Sequence, residues 1–146
     1  MKKIPLGNKM FVELVTGADS QIFSLYSLLK ERKHTISHTE IPDFERHKEF
    51  VHKHPYRYWF IFEENEEILG SFYIKNDNSI GMNLNKCSVE NVKAIISYIK
   101  ENIEPSAYEA SIIPPYFYLN IPSTNKELQK ILHDLDIISI QVSYRI

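Results

Sequence analysis

Apolar positions along this chain follow two periods, and the points where one gives way to the other divide it into strands and helices. Tyr56–Phe62 is a run of aromatic and β-branched residues with both faces mostly apolar, the pattern of a central strand covered on both sides. Glu64 to Glu67 supply a hairpin-length polar loop, and Ile68–Ile74 reads as the next strand. Within it Gly70 marks a bulge or a close backbone approach. Asn76-Asp77-Asn78 tolerates the left-handed angles of a turn. Ile80, Met82 and Leu84 then alternate with Gly81 and Asn83, so Ser79–Leu84 closes a three-stranded meander.

Helical spacing flanks that meander. Met10–Val15 predicts an opening strand, after which Asp19 is placed to cap a helix carrying Ile22, Leu25, Tyr26 and Leu29 on one face up to about Arg32. Lys33 to Pro42 is polar and aperiodic, a loop. A second helix from near Pro42 turns His47, Phe50, Val51 and His54 inward and stops at Pro55. Ser88 is a cap for a third helix with the stripe Val92, Ile95, Ile96, Ile99 and Ile103. Tyr116–Ile121 predicts a strand, and Thr124 with Glu127 fits a capping box for a fourth helix lined by Leu128, Ile131, Leu132 and Leu135. Ile138, Ile140 and Val142 alternate with Ser139, Gln141 and Ser143, predicting a last strand over Ile137–Tyr144. The order β-α-α-β-β-β-α-β-α-β describes a mixed α/β fold in a single domain spanning 1–146.

Composition narrows the partners. The 146 residues carry a formal net charge of -2, whereas phosphate backbones select a basic excess, so a nucleic-acid partner is not expected. No apolar run approaches the ~20 residues that span a bilayer. The two lysines after Met1 lead into no apolar stretch, so a secretory signal is not expected. One cysteine, Cys87, makes no internal disulfide. A soluble cytoplasmic protein follows as the expectation. Of the six histidines, His47, His52 and His54 have helical phases that do not converge, so no metal site is expected. Cys87 sits near a helix start, which favours the thiolate, but no catalytic partner accompanies it.

Several local stretches then carry a likeness. They are Ile36-Ser37-His38, His47, Phe50-Val51 and His54-Pro55-Tyr56-Arg57 leading into the Trp59 strand. Asn78-Ser79-Ile80-Gly81, Tyr116 to Asn125 with Asn120, Pro122 and Asn125, and finally Gln141 with Tyr144-Arg145 complete the set. With its element order, the chain resembles the GNAT acyltransferase superfamily over nearly its whole length, in particular bacterial members associated with amino-sugar modification. The resemblance implies a mostly antiparallel sheet of six to seven strands with four helices. Three positions depart from the family pattern. Its glycine-rich pyrophosphate loop corresponds to Asn85–Asn91, which has no glycine and places Glu90 near the incoming phosphates. Its thiolate-protonating tyrosine on the fourth helix corresponds to Leu132, and its Gly-Phe pair to Asp136-Ile137.

The reaction implied is attack of an amine on an acyl thioester held between the Ser79–Leu84 and Tyr116–Ile121 strands. By the same likeness, acetyl-CoA as co-substrate adds its pantetheine arm along Met82, Asn83 and Leu84. Its phosphates meet the amides of Ser88, Val89 and Glu90 with help from Lys86, and Asn120 and Asn125 lie beside it. Helix-start amides and their partial positive charge favour such an anion; the plain alternative is a Ser-capped connection. A base must lie within hydrogen-bond reach of the amine. His38 is the first choice, with His34 and Glu40 on the same loop, against the plain reading of a surface histidine. Asn83 stands where many relatives carry a glutamate base. Tyr144 and Tyr116 are candidate donors to the departing thiolate, or else core aromatics. Arg57 and Arg145 are candidate contacts for acidic substrate groups, or solvated strand ends. The expected function is N-acylation of a small-molecule amine, an amino-sugar nucleotide among the candidates. The alternative is a GNAT-like domain without catalysis, kept for binding or regulation. A homodimer is left open.

Overall fold

A computed structural model describes residues 2–32 and 40–146. Among the described residues six strands form one sheet in chain order: β1 (Lys3–Gly7), β2 (Met10–Leu14), β3 (Tyr58–Glu64), β4 (Glu67–Ile74), β5 (Ser79–Leu84) and β6 (Tyr118–Asn120). Neighbours are antiparallel except β5 and β6, which run parallel. The helices of the described residues are α1 (Asp19–Lys30), α2 (Phe44–Lys53), α3 (Val89–Asn102) and α4 (Lys126–Asp134). The mixed α/β class and the mostly antiparallel sheet expected from the sequence are what the chain adopts.

The two-faced apolar pattern of Tyr56–Phe62 explains the layering. Successive strand side chains point to opposite faces, so Phe60 and Phe62 join Val12, Phe72, Ile74, Ile80 and Met82 in one core under the α3 and α4 stripes. Trp59 and Ile61 face the other way, with Val15, onto Ile22, Leu25 and Leu28 of α1 and Val51 of α2. The β3–β4 loop is tighter than four residues. Glu64 pairs with Glu67, leaving Asn65 and Glu66, both at positive φ, as a two-residue turn whose twist suits a hairpin. Gly70 has both of its expected roles: the β3–β4 register shifts beside it, and a Cβ there would strike Asn83 O and lie 2.8 Å from Leu84 Cα.

Four local expectations are corrected. β1 was not foreseen; Lys3–Gly7 folds back on β2 through Asn8 and Lys9, again at positive φ. Asp19 does not cap α1, whose N-cap Ala18 has no side-chain acceptor. Buried Gln21 instead pins the loop that enters the helix, its Oε1 accepting from the Thr16 amide at 2.8 Å and the Gly17 amide at 3.2 Å. At α4 the Thr124–Glu127 box is replaced by Asn125, whose Oδ1 accepts from the Leu128 amide at 3.2 Å. The last strand does not form. Past the α4 C-cap Leu135 the chain turns at Asp136 in the left-handed region, with the Ile137 amide donating to Leu132 O at 2.9 Å, and 137–146 continues exposed and outside the sheet. Among the described residues no helix is long and apolar enough to cross a membrane.

Candidate functional site

The sheet opens between β5 and β6. Their pairing covers Ser79↔Tyr118, Ile80↔Leu119 and Gly81↔Asn120 and then stops, because Pro122, two residues beyond Asn120, has no N–H to extend it. Asn85 donates to Leu69 O at 2.7 Å, so by strand alternation the main-chain groups of Met82 and Leu84 turn away from β4 toward the gap. The Leu84 carbonyl is approached by the Cys87 thiol at 4.0 Å. The Gly81↔Asn120 pairing takes up the Met82 amide, so the Met82 carbonyl and the Leu84 amide are left along the open edge.

Asn78 anchors the paired end of β5 and β6, opposite the gap. It is fully buried at φ 71°. Its Nδ2 donates to Ser106 O at 3.2 Å and Pro114 O at 2.9 Å, its Oδ1 accepts from the Ser106 amide at 2.6 Å, and its carbonyl accepts from the Tyr118 amide at 3.1 Å. One side chain thus ties the long α3–β6 connection to the start of β5. Arg57 adds to that tie, donating to Glu104 O at 2.8 Å.

At the far end of the gap lies the start of α3. Ser88 Oγ accepts from the Asn91 amide at 3.0 Å, and Asn91 Oδ1 accepts from the Ser88 amide at 2.9 Å. Buried Asn91 also donates to Lys86 O at 3.0 Å and to Glu64 Oε1 at 3.2 Å. Of the three amides expected to face phosphate, that of Ser88 is occupied, while those of Val89 and Glu90 have no acceptor among the described residues. Lys86 stands exposed beside them and Glu90 is exposed in the first turn.

The α1/α2 face of the sheet brings together an aromatic group that the sequence reading missed. Tyr73 of β4 lies opposite Gly81 of β5, and a Cβ at Gly81 would fall on the Tyr73 ring and hydroxyl. The Tyr73 phenol therefore lies across β5 where its pairing with β6 ends. Tyr56 stacks on it with centroids 3.9 Å apart and planes 6° apart. Trp59 packs edge-on against Tyr56, Phe50 and His54, and its indole N–H is buried with no acceptor among the described residues. Burial pushes the Tyr56 pKa up to about 12, with Tyr73 adding to the rise and the Arg32 charge opposing it. Burial raises the Tyr73 pKa too, again against Arg32, while burial lowers that of Arg32 itself. Near neutral pH both phenols keep their protons, so this face presents hydrogen-bond donors beside a cation. The signal for it was present in the cross-strand register, which pairs a glycine with a tyrosine.

The remaining predicted residues scatter. His38 and His34 lie outside the described residues; Glu40 is exposed. Tyr144 and Arg145 are exposed on the unpaired tail, and Tyr116 is half exposed. Asn83 lies opposite Ser71 on the face that carries Tyr73. Asn120 is exposed opposite Gly81, at the mouth of the gap, whereas the Asn125 side chain is committed to capping α4. His47 is buried, with Nε2 3.1 Å from Ile22 O.

No family model matches this chain, and no curated protein matches it. Solved structures do. The ribosomal L7/L12 alpha-N-protein acetyltransferase RimL in complex with coenzyme A superposes with a TM-score of 0.59 at 9% identity, over 91% of this chain and 82% of that one. The acetyltransferase that modifies the N-terminal serine of L7/L12 in Salmonella typhimurium gives 0.59 at 11% identity, over 91% and 83%. An aminoglycoside acetyltransferase from an uncultured soil metagenomic sample, in complex with sisomicin, gives 0.56 at 12% identity, over 97% of each chain. The fold is GNAT-like.

Proposed function

We propose that this GNAT-like chain works as one domain, an N-acyltransferase that moves an acetyl group from acetyl-CoA to a primary amine, with the β5–β6 gap as donor cleft. The observation that carries this reading is the open edge formed by the Met82 carbonyl and the Leu84 amide, running toward the start of α3. An extended amide-bearing arm adds to such an edge as a strand would, through main-chain hydrogen bonds. The Val89 and Glu90 amides with Lys86 suit its phosphates. Acetyl-CoA, when bound, supplies an acyl carbon that the amine attacks and a thiolate that leaves.

On the opposite side the chain's own residues handle protons. Tyr73, held protonated over Gly81, donates to the departing thiolate in place of Tyr144, which the fold leaves on the exposed tail. Arg32 and the Trp59 indole line the acceptor side, the former suited to an acidic group of the substrate and the latter to a carbonyl or hydroxyl oxygen. Asn83 orients a water and His38 remains our proposed base. Among amines, an amino-sugar nucleotide suits Arg32 through its phosphates. Aminoglycosides and peptide N-termini, substrates named for proteins of this fold, belong in the same screen. Thiol release from acetyl-CoA across that amine panel tests the reading. Tyr73→Phe should lower kcat by about 10²-fold, the low end for a proton donor, with little change in KM for acetyl-CoA. An unchanged kcat would remove Tyr73 from the chemistry.

A second reading has its own observation. Asn91 fills the turn where relatives carry glycines and takes up the Ser88 amide. A chain so plugged would serve as a binding or regulatory module without acyl transfer.

A further inference from the structure

The tail 137–146 has the pattern of a strand and no sheet. Ile138, Ile140, Val142 and Tyr144 are 80%, 58%, 70% and 86% exposed, and in an extended chain their period of two puts all four on one face. The segment holds a single charge, Arg145, and neither proline nor glycine. Apolar, weakly charged segments of this kind pair readily with any free strand edge. Its own hydrogen bonding is local, Gln141 Nε2 donating to Ser143 Oγ at 3.2 Å.

The same chain carries a free edge. β6 is one of the two outermost strands of the sheet; the other, β1, is blunted by Lys3 and Pro5. The Tyr118 amide points to Asn78 O, so the Leu119 amide and carbonyl one residue on point outward. Phe117, Leu119 and Ile121 lean onto the α3/α4 core, an apolar row at the sheet's rim that ends at this edge. Natural proteins shorten, cover or charge such edges; this one is short, at three residues, but carries no charge.

We infer that residues 137–146 add as a strand to the β6 edge of a second copy of this chain. A twofold pair needs each surface once per copy, and each copy supplies one tail and one edge that neither lysine nor proline blunts, so reciprocal exchange leaves neither uncovered. An unrelated strand on β6 would leave the tail exposed, and an unrelated edge for the tail would leave β6 open. Pairing of the tail with its own β6 is not what the chain adopts, since the sheet ends at β6 and 137–146 has no ladder partner.

Light scattering on the full chain should report twice the 17.2 kDa monomer mass. Ile140→Pro, which removes a ladder amide, and Ile140→Asp, which charges the apolar face, should each return the monomer with the circular dichroism spectrum kept. In a Cys87→Ser background, Ile121→Cys protein mixed with Gln141→Cys protein should be joined between chains by a short bismaleimide. A monomer at the highest soluble concentration would overturn the inference. So would a dimer indifferent to both Ile140 variants, or a mixture of the two cysteine variants that the bismaleimide leaves unlinked. None of these outcomes bears on acetyl-CoA binding, so exchange and acyl transfer fail separately.

Discussion

Glycine decides the geometry at two residues. Gly70 lets Asn83 and Leu84 of β5 pass where a Cβ would meet backbone, which cannot yield as a side-chain end does. Gly70→Ala should cost about 1–3 kcal/mol in urea unfolding, the range for overpacking a well-filled site. Gly81 instead makes room for the Tyr73 ring. His47 gives a pH signature. Burial lowers its pKa from the ordinary 6.5, the Ile22 carbonyl opposing, so the folded chain holds the neutral Nε2–H form that donates to that carbonyl. The unfolded state then binds the proton more readily, and stability rises with pH wherever it does. The contribution is complete above about 6.5 and is lost as pH falls below that value. The melting temperature should decline from pH 7 to 5, less steeply in His47→Gln. His54, its pKa also lowered by burial, keeps part of the slope.

Among the elements, the meander β3–β4–β5 and the α3 stripe were legible because their signals are local: period, turn residues and a cap within a few positions. Ser88 capped as read, and Gly70 behaved as read. What was illegible depended on partners elsewhere. The alternation over 137–146 states what the segment would do beside a free edge and cannot state whose edge that is. Pro5 and only two inward apolar residues, Ile4 and Leu6, hid β1 from the period. Tyr73 gained its place from a glycine opposite it on the next strand, a pairing that register alone reveals. The start of α3 was half legible: its open amides were foreseen, and the plug by Asn91 was not. Glu90 in that first turn opposes an anion at the helix start, where such a charge is worth about 0.3–1 kcal/mol. Glu90→Gln should therefore tighten acetyl-CoA about two- to fivefold by calorimetry, and an unchanged Kd would remove the phosphates from this helix start.

For the whole molecule, one open edge organises the rest. Asn78 holds the α3–β6 connection to the head of β5, Pro122 ends the β6 pairing, and beyond it the sheet parts beside an array of protonated phenols. A zipped sheet would leave the donor arm no main chain to join. Thermal melting against acetyl-CoA tests that claim most directly. At a hundredfold excess over Kd, mass action adds about 2.7 kcal/mol, a rise of roughly 5–10 °C in Tm for a chain of this size that grows with concentration. An unmoved Tm at millimolar acetyl-CoA would contradict the account.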